Sequence, residues 1–165
     1  MRILKTFLGV GVVVAILAVC LFATSSLSGF AQTDPFIGTW KLNLAKSKFS
    51  PGPSPKSQTI TYEAVGQGVK FTAKGTNAEG KPINGQATAN YDGKDYPVTG
   101  NPDWDTIAFK RIDAYKVEVT RKKAGKVVST NTRVVSNDGK TMTITEKGVN
   151  AKGENFNNTL VFEKQ

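Results

Sequence analysis

Thr59-Ile60-Thr61-Tyr62-Glu63-Ala64, the turn Gly66-Gln67-Gly68, and Val69-Lys70-Phe71-Thr72-Ala73-Lys74 decide the fold class. Polar and apolar residues alternate on both sides of a glycine turn. That is the two-residue period of a half-buried antiparallel strand. Thr, Val and Tyr suit a pleated surface. Lys116-Val117-Glu118-Val119-Thr120 and Thr141-Met142-Thr143-Ile144-Thr145 repeat the rhythm. No helical period interrupts it.

Working outward, Asn77-Ala78-Glu79-Gly80, Asp92-Gly93-Lys94, Ala124-Gly125-Lys126 and Asn137-Asp138-Gly139-Lys140 mark further tight turns. Asp-Gly pairs supply the positive φ that hairpins need. Ten strands are predicted, at 37–44, 57–64, 69–75, 83–91, 95–98, 106–111, 115–122, 127–136, 140–147 and 156–164. Short links make them a meander. A flat meander would leave two long edges, and closure into a barrel removes them. The fold class is therefore all-β: an antiparallel up-and-down β-barrel of eight to ten strands. One connection, 46–56, carries Pro51, Pro53 and Pro55 and is an extended loop.

The apolar phase places Tyr62, Phe71, Phe109, Leu160 and Phe162 inside, with Val117, Val119, Val128, Val134, Met142 and Ile144. The opposite phase carries Lys70, Glu118, Arg133 and Glu163 and is expected to face outward. Gly85, Ala87 and Ala89 are small for a filled core, so either a packed core or an apolar pocket fits this pattern. Tyr96 and Trp104 fall in loops. They are either a rim at the pocket mouth or rings that tie down their own loops.

The chain has 165 residues, 22 Lys and Arg against 13 Asp and Glu, no His and one Cys. Without His there is no imidazole base, shuttle or ligand. The start reads as a cleaved secretory signal: Arg2 and Lys5, an apolar run to Phe22, and Gly29-Phe30-Ala31 before a cut at Ala31/Gln32. The run is about 16 residues, short of the ~20 a spanning helix prefers. Residues 1–31 are the signal and 32–165 the barrel domain, exported to a periplasm or secreted. Export removes Cys20, so no disulfide forms. No nucleophile–base pair is visible, which gives a non-catalytic reading. No cofactor motif and no metal set is predicted. Asp92, Asp95, Asp103 and Asp105 lack the spacing of a calcium loop and read as turn formers. Arg121-Lys122-Lys123 with Lys126 put positive charge at a hairpin tip. Anionic envelope polymers or lipid headgroups are the partners such a tip suits. Nucleic acid is not, since the chain is exported and offers no aromatic platform.

Phe36-Ile37-Gly38-Thr39-Trp40-Lys41-Leu42 resembles the first strand of the calycins, the lipocalins and fatty-acid-binding proteins together. Thr159-Leu160-Val161-Phe162-Glu163-Lys164 is similar to the closing strand of the fatty-acid-binding branch. The resemblance implies a lipocalin-like barrel, with Gly38 bending the strand and Trp40 plugging one end. In lipocalins a late basic residue lies against that tryptophan, and Arg133 and Lys164 are the candidates. Two departures stand out. The family's Arg and Tyr of the last strand, which hold a ligand carboxylate, fall on Leu160 and Phe162. Its lid helices are replaced by the Pro-rich loop. Tyr91-Asp92-Gly93-Lys94-Asp95-Tyr96-Pro97-Val98-Thr99-Gly100 and Ser136-Asn137-Asp138-Gly139-Lys140-Thr141-Met142 also look like small secreted bacterial proteins, which implies a compartment and no chemistry.

The expected function is therefore a small-molecule-binding barrel for an apolar or weakly polar ligand that needs no carboxylate. The alternative is an inhibitor-like or envelope-binding module with a filled core, acting through the basic hairpin and the Pro-rich loop.

Overall fold

Alternating Thr, Val and Ile segments separated by glycine turns form ten antiparallel strands. The structure is a computed structural model and describes residues 34–150 and 152–165. The expected signal segment and its cut lie outside the described residues. The strands are β1 (Gly38–Leu42), β2 (Ser57–Val65), β3 (Gly68–Thr76), β4 (Pro82–Ala89), β5 (Tyr96–Pro97), β6 (Thr106–Arg111), β7 (Lys116–Lys123), β8 (Lys126–Val135), β9 (Thr141–Val149) and β10 (Asn155–Lys164).

The sheet order is β4-β3-β2-β1-β10-β9-β8-β7-β6-β5. This is the up-and-down order that the calycin resemblance implies. Gln86 of β4 and Thr99, just past β5, exchange backbone hydrogen bonds of 3.0 and 2.9 Å. They bring the two edges together, so the barrel is nearly closed. No lid helices follow β1 among the described residues. A single 3-10 turn at Leu44–Lys46, capped by Asn43, leads into the Pro-rich loop. That loop first follows β10, through Lys48 and Thr159, before crossing to β2.

Three expected strands are shorter than predicted: β4 ends at Ala89, and β1 and β5 are cut short for local reasons. β1 stops at Leu42 because Asn43 accepts from the Lys46 amide and turns the chain. β5 is two residues long because Pro97 has no N–H to donate and Thr99 bonds to β4 instead.

One barrel end is sealed as expected. Trp40 is fully buried, and its Nε1 donates to the Phe36 carbonyl at 2.8 Å. Lys164, not Arg133, lies against it, with Nζ 5.1 Å from the ring. Gly38 adopts φ 127°. A Cβ there would sit 2.8 Å from Lys164 Cε, so glycine lets that side chain reach the tryptophan. Arg111 reinforces the same end. It pairs with Asp34 and stacks 3.6 Å from the Tyr91 ring centroid. Burial, and then the Asp34 carboxylate, push the Tyr91 phenol well above its usual value.

The side-chain phase of β8 differs from the expectation. Ser129, Asn131, Arg133 and Val135 are buried, while Val134 is 41% exposed. The β7–β8 register shifts between Arg121 and Lys122, so Arg121 faces Ser129 and Lys122 faces Val127. Val128 is the extra residue. Beyond it, Asn131 is paired with Val119 and Glu146, and Arg133 with Val117 and Ile144. Directly paired residues share a face, so buried Val117, Val119 and Ile144 carry Asn131 and Arg133 inward.

Candidate functional site

The barrel interior is aromatic at its centre. Tyr62 (β2), Phe71 (β3) and Phe109 (β6) meet across it, with centroids 5.7 Å apart for Tyr62–Phe71, 5.9 Å for Phe71–Phe109 and 6.4 Å for Tyr62–Phe109. Leu160 and Phe162 of β10 are buried in the same core. All five expected interior residues therefore face inward. Tyr62, Phe71 and Phe109 pack on one another, so the centre of the barrel is occupied by side chains.

A guanidinium sits among these rings. Arg133 is fully buried, with its Cζ 5.3 Å from the Phe71 centroid, 5.4 Å from Phe109 and 5.9 Å from Tyr62. Its Nε donates to Asn131 Oδ1 at 2.9 Å, and Nη1 donates to the Tyr62 hydroxyl. No carboxylate pairs with it among the described residues. Its Nη2 and the Nδ2 of Asn131 have no hydrogen-bond partner there.

Arg121 lies nearer the open end, directly paired with Ser129 across β7 and β8. It pairs with Glu146, whose Oε1 also accepts from Ser129 Oγ at 3.2 Å. Arg121 Cζ is 4.8 Å from the Trp104 ring, and its Nε is likewise unpartnered. Burial pulls the Arg121 guanidinium below its usual value. The Glu146 carboxylate opposes that pull, and the Arg133 charge adds to it. The two cations therefore feel each other, and only Arg121 has a carboxylate, Glu146, among the described residues. This interior carries an excess positive charge and three buried donors without acceptors.

The open space lies at the mouth, in a cavity of about 740 Å³. Trp104 and Arg121 lie at its inner side, and Gln58, Asn84, Asn101 and Asp103 are among its walls. Trp104, expected as a rim or as a ring that ties down its own loop, lines the cavity and is buried, with its centroid 6.4 Å from that of Phe71 on β3. Its ring also reaches 3.4 Å from the position a Gly85 Cβ would take. The small residues of β4 thus make room for this indole. Tyr96 does not line the mouth cavity. Its hydroxyl donates to Asp92 Oδ2 at 3.0 Å.

The clustered acids go to separate partners. Asp92 accepts from the Lys94 amide, Asp95 pairs with Lys122 at 2.6 Å, and Asp105 accepts from the Ala124 amide. The Lys94 amide, with the Tyr96 hydroxyl, holds the Asp92 carboxyl below its usual range.

The residues that sequence reasoning missed are Arg133, Asn131, Ser129 and Glu146. One signal for them exists. Glu146 continues the phase Met142, Ile144 into the core, and a carboxylate on an apolar phase needs a buried cation nearby. Arg121 was read as part of a surface run. It continues the inward phase of Val117 and Val119 on β7, just as Glu146 continues that of Met142 and Ile144.

The zebrafish ileal bile acid-binding protein in complex with cholic acid aligns with 79% of this chain and 99% of its own, at 11% identity and a TM-score of 0.47. A redesigned β barrel, mFAP1, bound to DFHBI, aligns with 79% of this chain and 95% of its own, at 13% identity and a TM-score of 0.39. No family model and no curated protein matches the chain.

Proposed function

We propose that this barrel is a non-catalytic, exported binding protein for a small amphipathic molecule with an anionic or strongly accepting head group. One observation carries the reading: Arg121, Asn131 and Arg133 present three buried, unpartnered donors, and of the two guanidiniums only that of Arg121 has a carboxylate partner among the described residues. Buried donors without acceptors are costly, and a charge out of water calls for a counter-charge. An anionic head group supplies both. The mouth cavity falls within the range of small-ligand pockets, roughly 300–1,000 Å³. The ligand's apolar part would lie against Trp104, Ala73 and Ile83, which line that cavity. The head group would meet Arg121 first, with the Arg133 charge below it keeping the interior positive.

This reading revises the expectation of a ligand without a carboxylate. That expectation rested on Leu160 and Phe162, which are apolar and inward as foreseen. The cations come from β7 and β8 instead of the last strand.

The test is displacement of an anionic naphthalene-sulfonate dye by long-chain carboxylates and by the alcohols of the same chain length. A hydrogen bond to a charged group contributes roughly 1.5–3 kcal/mol, so carboxylates should bind about 10- to 100-fold more tightly. Equal affinity for acid and alcohol would refute the anionic head group.

A second reading draws on the filled centre. Tyr62, Phe71 and Phe109 close around Arg133, which favours a module that acts through its outer surface. Under that reading neither acids nor alcohols displace the dye from a saturable site.

A further inference from the structure

The hairpins β7–β8 and β9–β10 are neighbours at one barrel end, because β8 pairs with β9 through Ser129 and Gly148. Between them lies a groove of about 400 Å³, with Val127, Val128, Val149 and Phe156 in its lining. Val127 is 57% exposed and Val149 45% exposed. Around the groove stand Lys123, Lys126, Lys147 and Lys152, all exposed. None of the four pairs with a carboxylate among the described residues. Two acids share this end: Glu154, to which the Asn150 side chain donates at 2.8 Å, and Asp105, which accepts from the Ala124 amide of the β7–β8 turn at 2.9 Å. The two other members of the expected basic run are occupied: Arg121 points inward to Glu146, and Lys122 is held by Asp95.

We infer that this end of the barrel docks on a bilayer surface rich in anionic phospholipid. Two features on one patch point to it. Four exposed lysines without an ion pair, against Glu154 and Asp105, leave this end net positive and complement a negative surface. Exposed valines at the hairpin tips gain nothing from a soluble polyanion, but they lose water when pressed into a headgroup layer. The argument is independent of what the interior binds. Each lysine near an anionic leaflet strengthens binding by about fivefold, so two of them together matter by about 25-fold.

The experiment is co-sedimentation of residues 32–165 with vesicles of phosphatidylcholine alone or of equal parts phosphatidylcholine and phosphatidylglycerol. The expected result is binding to the mixed vesicles only, weakened about 25-fold in Lys123→Gln/Lys126→Gln. Val127→Asn should weaken it further. Lys41→Gln/Lys70→Gln, on the outer faces of β1 and β3, is the control for net charge and should leave binding near that of the unmodified protein. Circular dichroism checks that each variant keeps the strand spectrum. Glycerol phosphate in solution should not compete, which separates a lipid surface from a free phosphate site. Equal loss in the control pair, equal binding to phosphatidylcholine, or no binding would each overturn the proposal. So would a Val127→Asn variant that changes the solution mass and leaves vesicle binding intact, because the groove would then belong to a second copy.

Discussion

The triple variant Tyr62→Phe/Asn131→Leu/Arg133→Met should fold at least as stably as the unmodified protein. Taking a guanidinium out of water costs several kcal/mol even after relaxation. Against this stand two hydrogen bonds, to Asn131 and Tyr62, each about 1.5–3 kcal/mol when one partner is charged. Three ring contacts at 5.3–5.9 Å add about 0.5–2 kcal/mol each. The two sides nearly cancel. Replacing such a group together with its partners by apolar residues of similar shape is typically neutral to about 4 kcal/mol stabilising. Tyr62→Phe alone behaves differently. It strands one more guanidinium N–H and should cost about 1–3 kcal/mol. Urea denaturation followed by tryptophan fluorescence measures both, and an unchanged slope would show that the unfolding reaction is the same. The triple variant should at the same time lose its preference for carboxylates over alcohols. A triple variant destabilised by more than about 2 kcal/mol would mean that Arg133 holds the fold together, and would refute the binding argument built on it.

Other perturbations follow from the same contacts. Glu146→Gln removes the carboxylate paired with the buried Arg121 guanidinium and should cost about 3–5 kcal/mol in a urea melt. Glu63→Gln, facing Lys70 across an exposed pair, should cost under about 1 kcal/mol. Gly38→Ala combines φ 127° with displacement of Lys164 from the Trp40 ring, and should cost about 1–3 kcal/mol with a changed near-ultraviolet tryptophan signal. Glu163 is held below its ordinary 4.5, first by the Lys46 hydrogen bond and then by that from Asn43. A depressed folded value means that its stabilisation is full above 4.5 and is lost as pH falls through the folded value. Melting temperature should therefore be flat above that pH and drop below it, and Glu163→Gln should remove part of the drop.

The backbone was legible because glycine and Asp-Gly turns punctuate an unbroken two-residue rhythm. Gly66, Gly93 and Gly139 each take the positive φ expected at a turn. The Trp40 end was legible in part: Gly38 and Trp40 form a local motif and Trp40 bonds to Phe36, whereas Lys164, which both residues meet, comes from the far end of the chain. The interior chemistry was not, and the reason is specific. Val127-Val128-Ser129-Thr130-Asn131-Thr132-Arg133-Val134-Val135 offers valines in both phases, so apolar alternation cannot choose between them. The bulge opposite Arg121 and Lys122 decides, and a bulge depends on pairing that one strand's sequence does not display. A one-residue slip exchanges the two faces, which is why Arg133 was assigned to the wrong side. Arg121 is different: its place is local, since it continues the phase of Val117 and Val119 on β7, but in a run of basic residues that phase is masked by the charge of Lys122 and Lys123.

The central claim is that the buried cations of β7 and β8 serve a bound anion. Native mass spectrometry of the protein purified directly from producing cells, before and after solvent extraction, tests it most directly. The account predicts an adduct of small-molecule mass that leaves on extraction, yields an acidic compound, and is missing from the triple variant. Repeated preparations at the bare polypeptide mass, or the same adduct on the triple variant, would contradict it.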